Sequence, residues 1–265
     1  IARKIIKALN ISGPFNMQFI AKNNELKVIE CNVRASRSFP FISKVSGTNM
    51  VEVMAKVFIG EEISETYNTL DCGVIGIKSP VFSYNRFKGS DPVAQVEMSS
   101  TGEVACIGRD ILQTFYMSWL GVGQQINKKV ILLSVDDKYK QKLLPLVQAL
   151  SNDGWQFVAT GGTHEMLVNN GVQSKFVFKI SDLIEPNIQR TISKREVGLI
   201  INLPKDVFSS DADSDGFKIR RLAIDFHIPL VTNFQLSEAL LESLALFHGK
   251  PFKVESYREL VRNGG

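Results

Sequence analysis

The chain has 265 residues, enough for one large or two modest domains, and 44% of them are hydrophobic. Its net charge is only +4, from 31 basic and 27 acidic residues, which calls for no nucleic-acid partner. No apolar run approaches the roughly 18 residues of a membrane span. The cysteines Cys31, Cys72 and Cys106 form no CxxC pair, so we expect neither a disulfide frame nor a zinc site, and a reducing compartment.

The first half of the chain mixes helices and strands. Apolar residues recur at helical spacing over residues 1–9, and this helix-like start at Ile1 indicates a piece of a longer chain. Strand-like runs at 17–21 and 26–31 flank Asn23-Asn24-Glu25, which predicts a β-hairpin with a three-residue loop. The pattern further predicts a helix at 50–59, a strand at 74–82, a loop-rich stretch at 83–103, a helix at 111–120 and a linker at 121–125.

In the second half, strands and helices alternate. The five predicted strands are 130–135, 155–159, 175–180, 198–203 and 229–234, and the predicted helices are 140–150, 160–169, 187–195, 219–226 and 236–247. Five alternations require a parallel sheet covered on both faces, because each crossover carries a helix.

Three oxygen-bearing side chains are expected to converge on the hairpin. Glu30 and Asn32 lie two residues apart on one strand and therefore share a face, and the predicted loop places Gln18 opposite Glu30. Mg²⁺ prefers such hard oxygen ligands, and Arg34 and Arg37 in the next loop can neutralise a phosphoryl group. The alternative is a solvated polar face beside a surface ion-pair loop.

A second set of candidates lies at the ends of the later strands. The segment Thr160-Gly161-Gly162-Thr163 joins a strand to a helix, where backbone N–H groups and two hydroxyls can hold a phosphate. Lys140, Lys179 and Asn202 are expected near the same edge of the sheet. The alternatives are a plain strand-to-helix turn with Thr163 as its N-cap, solvated lysines and a turn-forming asparagine.

The acidic loop from Asp211 to Gly216 imitates the start of an EF-hand. Its twelfth position is Leu222 instead of the bidentate Glu that calcium needs, so we expect a solvated acidic loop. The alternative is that its charges face Arg220 and Arg221.

The first half resembles one enzyme family. The strings GPFNMQFI, VIECNVRASRSFPFISKVSG, MVEVMAKVFIG and STGEVACIG, which cover most of residues 1–120, are similar to the carbamate-phosphorylating ATP-grasp domain of carbamoyl-phosphate synthetases. The resemblance implies that Gln18, Glu30 and Asn32 ligate Mg²⁺ or Mn²⁺. It also implies that Arg34 lies against the phosphates of ATP and Arg37 near the carbamate, in a ligase that forms carbamoyl phosphate.

The second half resembles the methylglyoxal-synthase-like effector domain of the same large chain. The strings ATGGT, IINLP and IRRLAIDFHIPLVTN carry this resemblance over about 126–247. It implies that Thr160, Thr163, Lys140, Lys179 and Asn202 hold an allosteric effector. Acetylglutamate-activated members have Trp at the position of Lys179, so a phosphorylated nucleotide or phosphoribosyl pyrophosphate is favoured over N-acetylglutamate, although INLP is typical of the acetylglutamate type.

Together these resemblances predict the C-terminal part of an ATP-grasp α+β domain at 1–122 and a doubly wound, five-stranded effector domain at 123–265. The expected partners are the rest of the synthetase chain, a glutaminase domain or subunit, and a small-molecule effector. We expect the chain alone to be inactive, because the family's glycine-rich loop and adenine pocket are not in it. Cytoplasmic and mitochondrial locations both stay open.

Three other functions were weighed for this sequence. A stand-alone methylglyoxal-synthase-like lyase would need catalytic carboxylates in a Gly-Gly-Asp segment after its fourth strand, where this chain has Leu203-Pro204-Lys205-Asp206-Val207. A pure phosphate-ligand-binding regulatory module stays open. Another ATP-grasp ligase, such as a biotin carboxylase, is disfavoured by the effector-like C-terminal half.

Overall fold

The computed structural model describes residues 1–63, 72–87, 89–93, 100–205, 214–253 and 255–262. The chain divides into two compact units. The first comprises Ile1–Gly76, Ile107–Arg109 and Glu255–Gly265, and the second comprises Ile77–Cys106 and Asp110–Val254. The predicted domain boundary between residues 122 and 123 does not coincide with the limits of these compact units. It stays a prediction.

The first unit is built around a hairpin and short helices. Its elements are α1 (Ala2–Leu9), β1 (Asn16–Lys22), β2 (Glu25–Asn32), α2 (Phe39–Ser46) and α3 (Met50–Phe58). No side chain of these three helices is fully buried. The predicted hairpin is confirmed, but its loop has two residues, Asn23 and Asn24, both with positive φ as a type I′ turn requires.

Two strands, β3 (Ile75–Val81) and β4 (Gly102–Gly108), form a separate two-stranded sheet. The first was predicted and the second was missed. Lys78 pairs with Glu103 at 3.0 Å, and Ser79 hydrogen-bonds Ser118 at 2.8 Å. Ser118 lies in α4 (Ile111–Gly121). Both α4 and most of this sheet belong to the second compact unit.

The second unit confirms the doubly wound α/β prediction. Its five strands are β5 (Val130–Val135), β6 (Gln156–Ala159), β7 (Ser174–Phe176), β8 (Leu199–Leu203) and β9 (Leu230–Val231). They are all parallel, in the order β7-β6-β5-β8-β9. The helices are α5 (Asp137–Asn152), α6 (Gly161–Asn169), α7 (Ile188–Ser193), α8 (Asp215–Asp225) and α9 (Phe234–Phe247), and a last helix, α10 (Tyr257–Arg262), belongs to the first unit.

Each face of the sheet carries its own apolar core. Ile131 and Leu133 of the central strand β5 pack on one face with α4, α5, α6 and α9, while Leu132 packs on the other with α7 and α8. All three side chains are at most 1% exposed. Because successive strand residues point to opposite faces, an unbroken apolar run is what a sheet buried on both sides needs.

Two predicted strands end earlier in the structure, for local reasons. The third strand ends at Phe176, and a short 3₁₀ helix begins at Ile180, where the Asp182 carboxylate accepts the N–H of Lys179. The fifth strand ends at Val231, because Asn233 caps α9 by accepting the N–H of Leu236.

No helix in the described part of the chain is both long enough and apolar enough to cross a membrane.

Candidate functional site

A β-bulge sets the geometry of the hairpin site. From the turn outward, residues of β1 and β2 pair regularly up to Phe19 opposite Val28, and the next pair is Gln18 opposite Glu30. Ile29 is therefore the extra residue. Without this extra residue, the two-residue turn would place Gln18 opposite Ile29 instead of Glu30. The predicted pairing of Gln18 with Glu30 is confirmed, although the predicted three-residue loop is wrong.

The hairpin side chains form an oxygen-rich surface. Asn32 donates its amide N–H to the Glu30 carboxylate at 2.9 Å, which leaves the Asn32 carbonyl oxygen available as a ligand. Gln18 and Glu30 are exposed, and Asn32 is half-buried. One carboxylate and two amide oxygens on one face fit the hard-ligand chemistry of Mg²⁺ or Mn²⁺. Within the described residues, no three His, Cys, Asp or Glu side chains cluster as an alternative metal site.

The two predicted arginines follow β2 directly. Arg34 lines a cleft of about 340 Å³ whose walls include Ser12, Met54 and Phe58, and its guanidinium donates to the Ala35 carbonyl at 3.3 Å. Arg37 is exposed next to Ser38, the residue that precedes α2. Neither guanidinium is buried, so both are free to reach an anion in the surrounding solvent.

The second site lies at the carboxyl edge of the five-stranded sheet. Thr160 follows β6, is only 7% exposed, and begins α6 without a capping bond from its own side chain. The N–H groups of Gly161 and Gly162 belong to the first turn of α6, where a helix offers no internal acceptor. An N–H group without a helical acceptor is what an anion site at a helix start requires, and a Cβ added at Gly161 would meet nothing within 4 Å.

Lys140 lies against this turn, as a phosphate site requires. A Cβ on Gly162 would come within 2.9 Å of the Lys140 ammonium, so the lysine packs closely against the glycine. The lysine side chain is only 13% exposed and pairs with Asp137 at 2.5 Å. The hydrogen bond and charge of Lys140 lower the pKa of Asp137, which remains almost fully exposed.

Thr163 does not present a free hydroxyl. It is 3% exposed, and its Oγ1 lies 3.4 Å from the N–H and 3.3 Å from the carbonyl of Val135 at the end of β5. The hydroxyl therefore ties α6 to the central strand. An effector contact through Thr163 would have to share that hydroxyl.

Lys179 and Asn202 differ in their setting. Lys179 lies three residues beyond β7 and is exposed. Asn202 is inside β8 and not in a turn, opposite Ser134 of β5, and is only 2% exposed. Both residues emerge at the same sheet edge as Thr160, because all five strands are parallel.

The sequence interpretation missed the partner of Asn202. Its side-chain oxygen accepts a bond from Arg220 of α8 at 3.4 Å, and Arg220 also forms a two-pronged ion pair with Asp91. Asp91 is 129 residues away in the chain, and no local pattern links residues so far apart.

The alternative in which the acidic loop faces Arg220 and Arg221 is wrong for Asp215, the one acidic residue of that loop that the structure describes. Arg221 pairs with Asp225 one helical turn later and donates to carbonyls of the 84–90 segment. Asp215 instead accepts from the backbone and hydroxyl of Ser181 at 2.9 and 2.7 Å. Residues 206–213, which include the rest of that acidic loop, lie outside the described residues.

Two family models match separate parts of the chain. Residues 1–66 match the model described as "Carbamoyl-phosphate synthase L chain, ATP binding domain", and residues 142–232 match "MGS-like domain". The chain corresponds to the C-terminal region of a carbamoyl-phosphate synthetase large chain. The hairpin site falls in the ATP-binding part, and the sheet-edge residues from Thr160 to Asn202 fall in the MGS-like part.

Curated relatives match nearly the whole chain. The Multifunctional protein pyrABCN of Emericella nidulans is 43% identical over 98% of this chain and 12% of its own length. The human protein "Carbamoyl-phosphate synthase (ammonia), mitochondrial" is 40% identical over 91% of this chain and 17% of its own length. The chain thus spans less than a fifth of these relatives.

Among solved structures, a methylglyoxal synthase from Elizabethkingia anophelis aligns with 49% of this chain and 88% of its own. The sequence identity is 21% and the TM-score is 0.38.

Proposed function

We propose that this chain contributes the hairpin of the carbamate-phosphorylating site and the effector-binding domain to a carbamoyl-phosphate synthetase. The whole enzyme would make carbamoyl phosphate from bicarbonate, ATP and ammonia, either free or derived from glutamine. The observation that carries the proposal is the bulge at Ile29, which sets Gln18 opposite Glu30 and beside Asn32. A bulge that re-aims side chains is typical of functional sites.

In the hairpin, each side chain has a distinct task. Glu30 supplies negative charge, while Gln18 and Asn32 supply neutral amide oxygens, and the Asn32 N–H holds the carboxylate in place at 2.9 Å. Bound Mg²⁺ or Mn²⁺ would neutralise charge on the ATP phosphates. Arg34 would face the phosphates from its cleft, and Arg37 would neutralise the carbamate.

At the sheet edge, the same chemistry favours an anionic effector. The amides of Gly161 and Gly162 begin α6 beside the ammonium of Lys140, and Lys179 emerges from the neighbouring strand end. This combination suits phosphate oxygens. A uridine or inosine nucleotide or phosphoribosyl pyrophosphate is therefore favoured over N-acetylglutamate.

The remaining assignments follow from the relatives. The partners would be the rest of the synthetase chain and a glutaminase domain or subunit, since the relatives are much longer than this chain. The human relative is named mitochondrial, and both a mitochondrial and a cytoplasmic location fit the proposal.

Manganese binding tests the hairpin site. Mn²⁺ titration of the 265-residue chain, followed by electron paramagnetic resonance, should show one site that Glu30→Gln weakens by about tenfold or more, since a ligand charge is lost. Glu25→Gln is the matched control, because Glu25 lies on the same strand opposite Lys22 and away from the site. Equal effects of the two substitutions would refute the hairpin site.

Calorimetry tests the effector site. UTP, inosine monophosphate, phosphoribosyl pyrophosphate and N-acetylglutamate are titrated separately into the chain. Lys140→Met should weaken a phosphorylated ligand by about tenfold, as loss of a charge-assisted bond predicts. Lys142→Met should not, because Lys142 lies on the same helix over the Phe234 ring. If N-acetylglutamate alone binds the wild type, the preference for a phosphorylated effector is wrong. The variant Lys179→Trp should bind N-acetylglutamate more tightly relative to the phosphorylated ligands.

The chain alone should not turn over. Incubation with bicarbonate, ammonia and ATP should release no phosphate above background. Turnover near that of a complete synthetase would contradict this division of labour.

A further inference from the structure

Arg220 is a buried charge whose guanidinium uses all three of its nitrogen atoms in hydrogen bonds. It is 2% exposed, and its Nε and Nη2 bind the two carboxylate oxygens of Asp91 at 2.8 and 2.5 Å. Its Nη1 lies 3.4 Å from the side-chain oxygen of Asn202. A charge removed from water needs an opposite charge in good geometry, and a two-pronged carboxylate contact fixes the plane of the guanidinium.

This arrangement decides how Asn202 is presented. A guanidinium has donors only, so the Asn202 atom that faces it must be the carbonyl oxygen. The Asn202 amide N–H groups are then directed elsewhere, and any ligand at Asn202 must offer an acceptor. A phosphate or carboxylate oxygen does so.

Gly216 provides the space for this contact. A Cβ at Gly216 would lie 3.1 Å from Nη1 of Arg220 and 3.8 Å from the oxygen of Asn202. The start of α8 therefore lies against the arginine and the asparagine together, next to Pro204 at the end of β8.

We propose that Arg220 is a positioning residue of the effector site, which orients Asn202 as a donor toward an anionic effector, and that Asp91 holds Arg220 in that role. This inference rests on the proposed effector site. It adds that the segment carrying Asp91, which lies outside the five-stranded sheet, contributes to effector affinity without touching the effector.

The neighbouring arginine offers a matched control. Arg221 is 11% exposed, comes from the same helix and donates to the carbonyls of Phe87 and Ser90 at 3.1 Å each, so it contacts the same stretch of chain as Arg220 does. Its other contacts include Asp225 and the carbonyl of Tyr84. A loss of affinity that came merely from loosening residues 84–91 would appear in Arg221→Lys as well.

The test measures effector affinity in the full 265-residue chain by calorimetry, with whichever of UTP, inosine monophosphate and N-acetylglutamate binds most tightly. Arg220→Lys keeps the charge but loses the planar fork, and it should weaken binding about tenfold. Asp91→Asn should weaken binding about threefold to tenfold, because the neutral amide replaces the carboxylate that binds the guanidinium of Arg220. Arg221→Lys should stay within about twofold of the wild type.

A ligand-free measurement separates this inference from the proposed function. The side-chain amide signal of Asn202 is identified in a nitrogen-proton NMR spectrum by its disappearance in Asn202→Asp. That signal should shift in Arg220→Lys and Asp91→Asn and stay in place in Arg221→Lys.

The outcomes divide cleanly. If none of the three probes binds the wild type, the proposed effector site fails, and the amide signal alone decides whether Arg220 orients Asn202. An amide signal that is the same in wild type, Arg220→Lys and Asp91→Asn overturns the inference. So does a shifted signal accompanied by unchanged effector affinity.

Discussion

Replacing Gly198 with alanine should lower the unfolding free energy by disturbing the start of β8, which pairs with the central strand β5. Gly198 is buried immediately before β8, and its N–H bonds the Val130 carbonyl at 2.8 Å. A Cβ at this position would lie 2.2 Å from the Lys128 carbonyl oxygen and 3.0 Å from the Lys128 nitrogen. These are backbone atoms, so no side-chain rotation can relieve the overlap.

The size of the effect follows from this geometry. Ordinary van der Waals contact starts at 3.4 Å, so the closest pair must separate by about 1.2 Å, which overpacks a rigid region. Such a movement also stretches the hydrogen bond between Gly198 and Val130. Overpacking and a weakened buried hydrogen bond together should cost about 2–4 kcal/mol. The corresponding fall in the unfolding midpoint is about 5–15 °C for a unit of this size.

Thermal unfolding followed by far-ultraviolet circular dichroism measures this fall. Gly161→Ala is the control, because Gly161 also lacks a positive φ and its added Cβ would meet nothing within 4 Å. That variant should melt within about 2 °C of the wild type. If Gly198→Ala and Gly161→Ala have the same unfolding midpoint, the backbone at Lys128 yields more easily than the geometry implies, and the reasoning fails.

Three further perturbations test other parts of the second unit. Burial, with a smaller contribution from Lys129, lowers the pKa of His248, so its folded-state pKa lies below the unfolded value. Stability should therefore be complete above about pH 6.5 and fall as the pH drops through that value toward the folded pKa. His248→Gln should flatten this slope in urea unfolding at several pH values, and an identical slope would contradict the assignment. Thr163→Val should cost about 1–2 kcal/mol by removing the hydroxyl from Val135, with Thr163→Ser retaining most of the stability. Leu132→Ala should cost about 2–5 kcal/mol, because Leu132 is fully buried at 0% exposure, and a loss below 1 kcal/mol would show that the core collapses around the gap.

Much of the second unit could be predicted from local patterns. The unbroken apolar runs of β5 and β8 alternate with amphipathic helices, and that alternation permits little other than a parallel sheet covered on both sides. The glycines after Thr160 also mark a strand-to-helix turn with accessible amides. These signals are local because they arise from backbone preferences and from the face to which each side chain points.

The hairpin shows where such reasoning stops. A hairpin at residues 16–32 follows from two extended runs and two asparagines, but its site depends on the bulge at Ile29. The pairing of Gln18 with Glu30 was predicted with the wrong loop length, and the bulge compensates for the missing loop residue. A bulge leaves no clear signature in the residues that form it, so register became certain only when both strands were placed.

The amino-acid sequence by itself determined the alternation of strands and helices in the second half of the chain, the hairpin, the strand-to-helix turn after Thr160 and the resemblance to carbamoyl-phosphate synthetases. Only the tertiary structure decided that the Thr163 hydroxyl hydrogen-bonds the Val135 backbone, and that Asp91, Arg220 and Asn202 form one hydrogen-bonded group. The physical reason is that backbone preferences act between near neighbours along the chain. A buried charge, by contrast, takes its partner from whatever segment folding brings within hydrogen-bond distance, and Asp91 is 129 residues from Arg220.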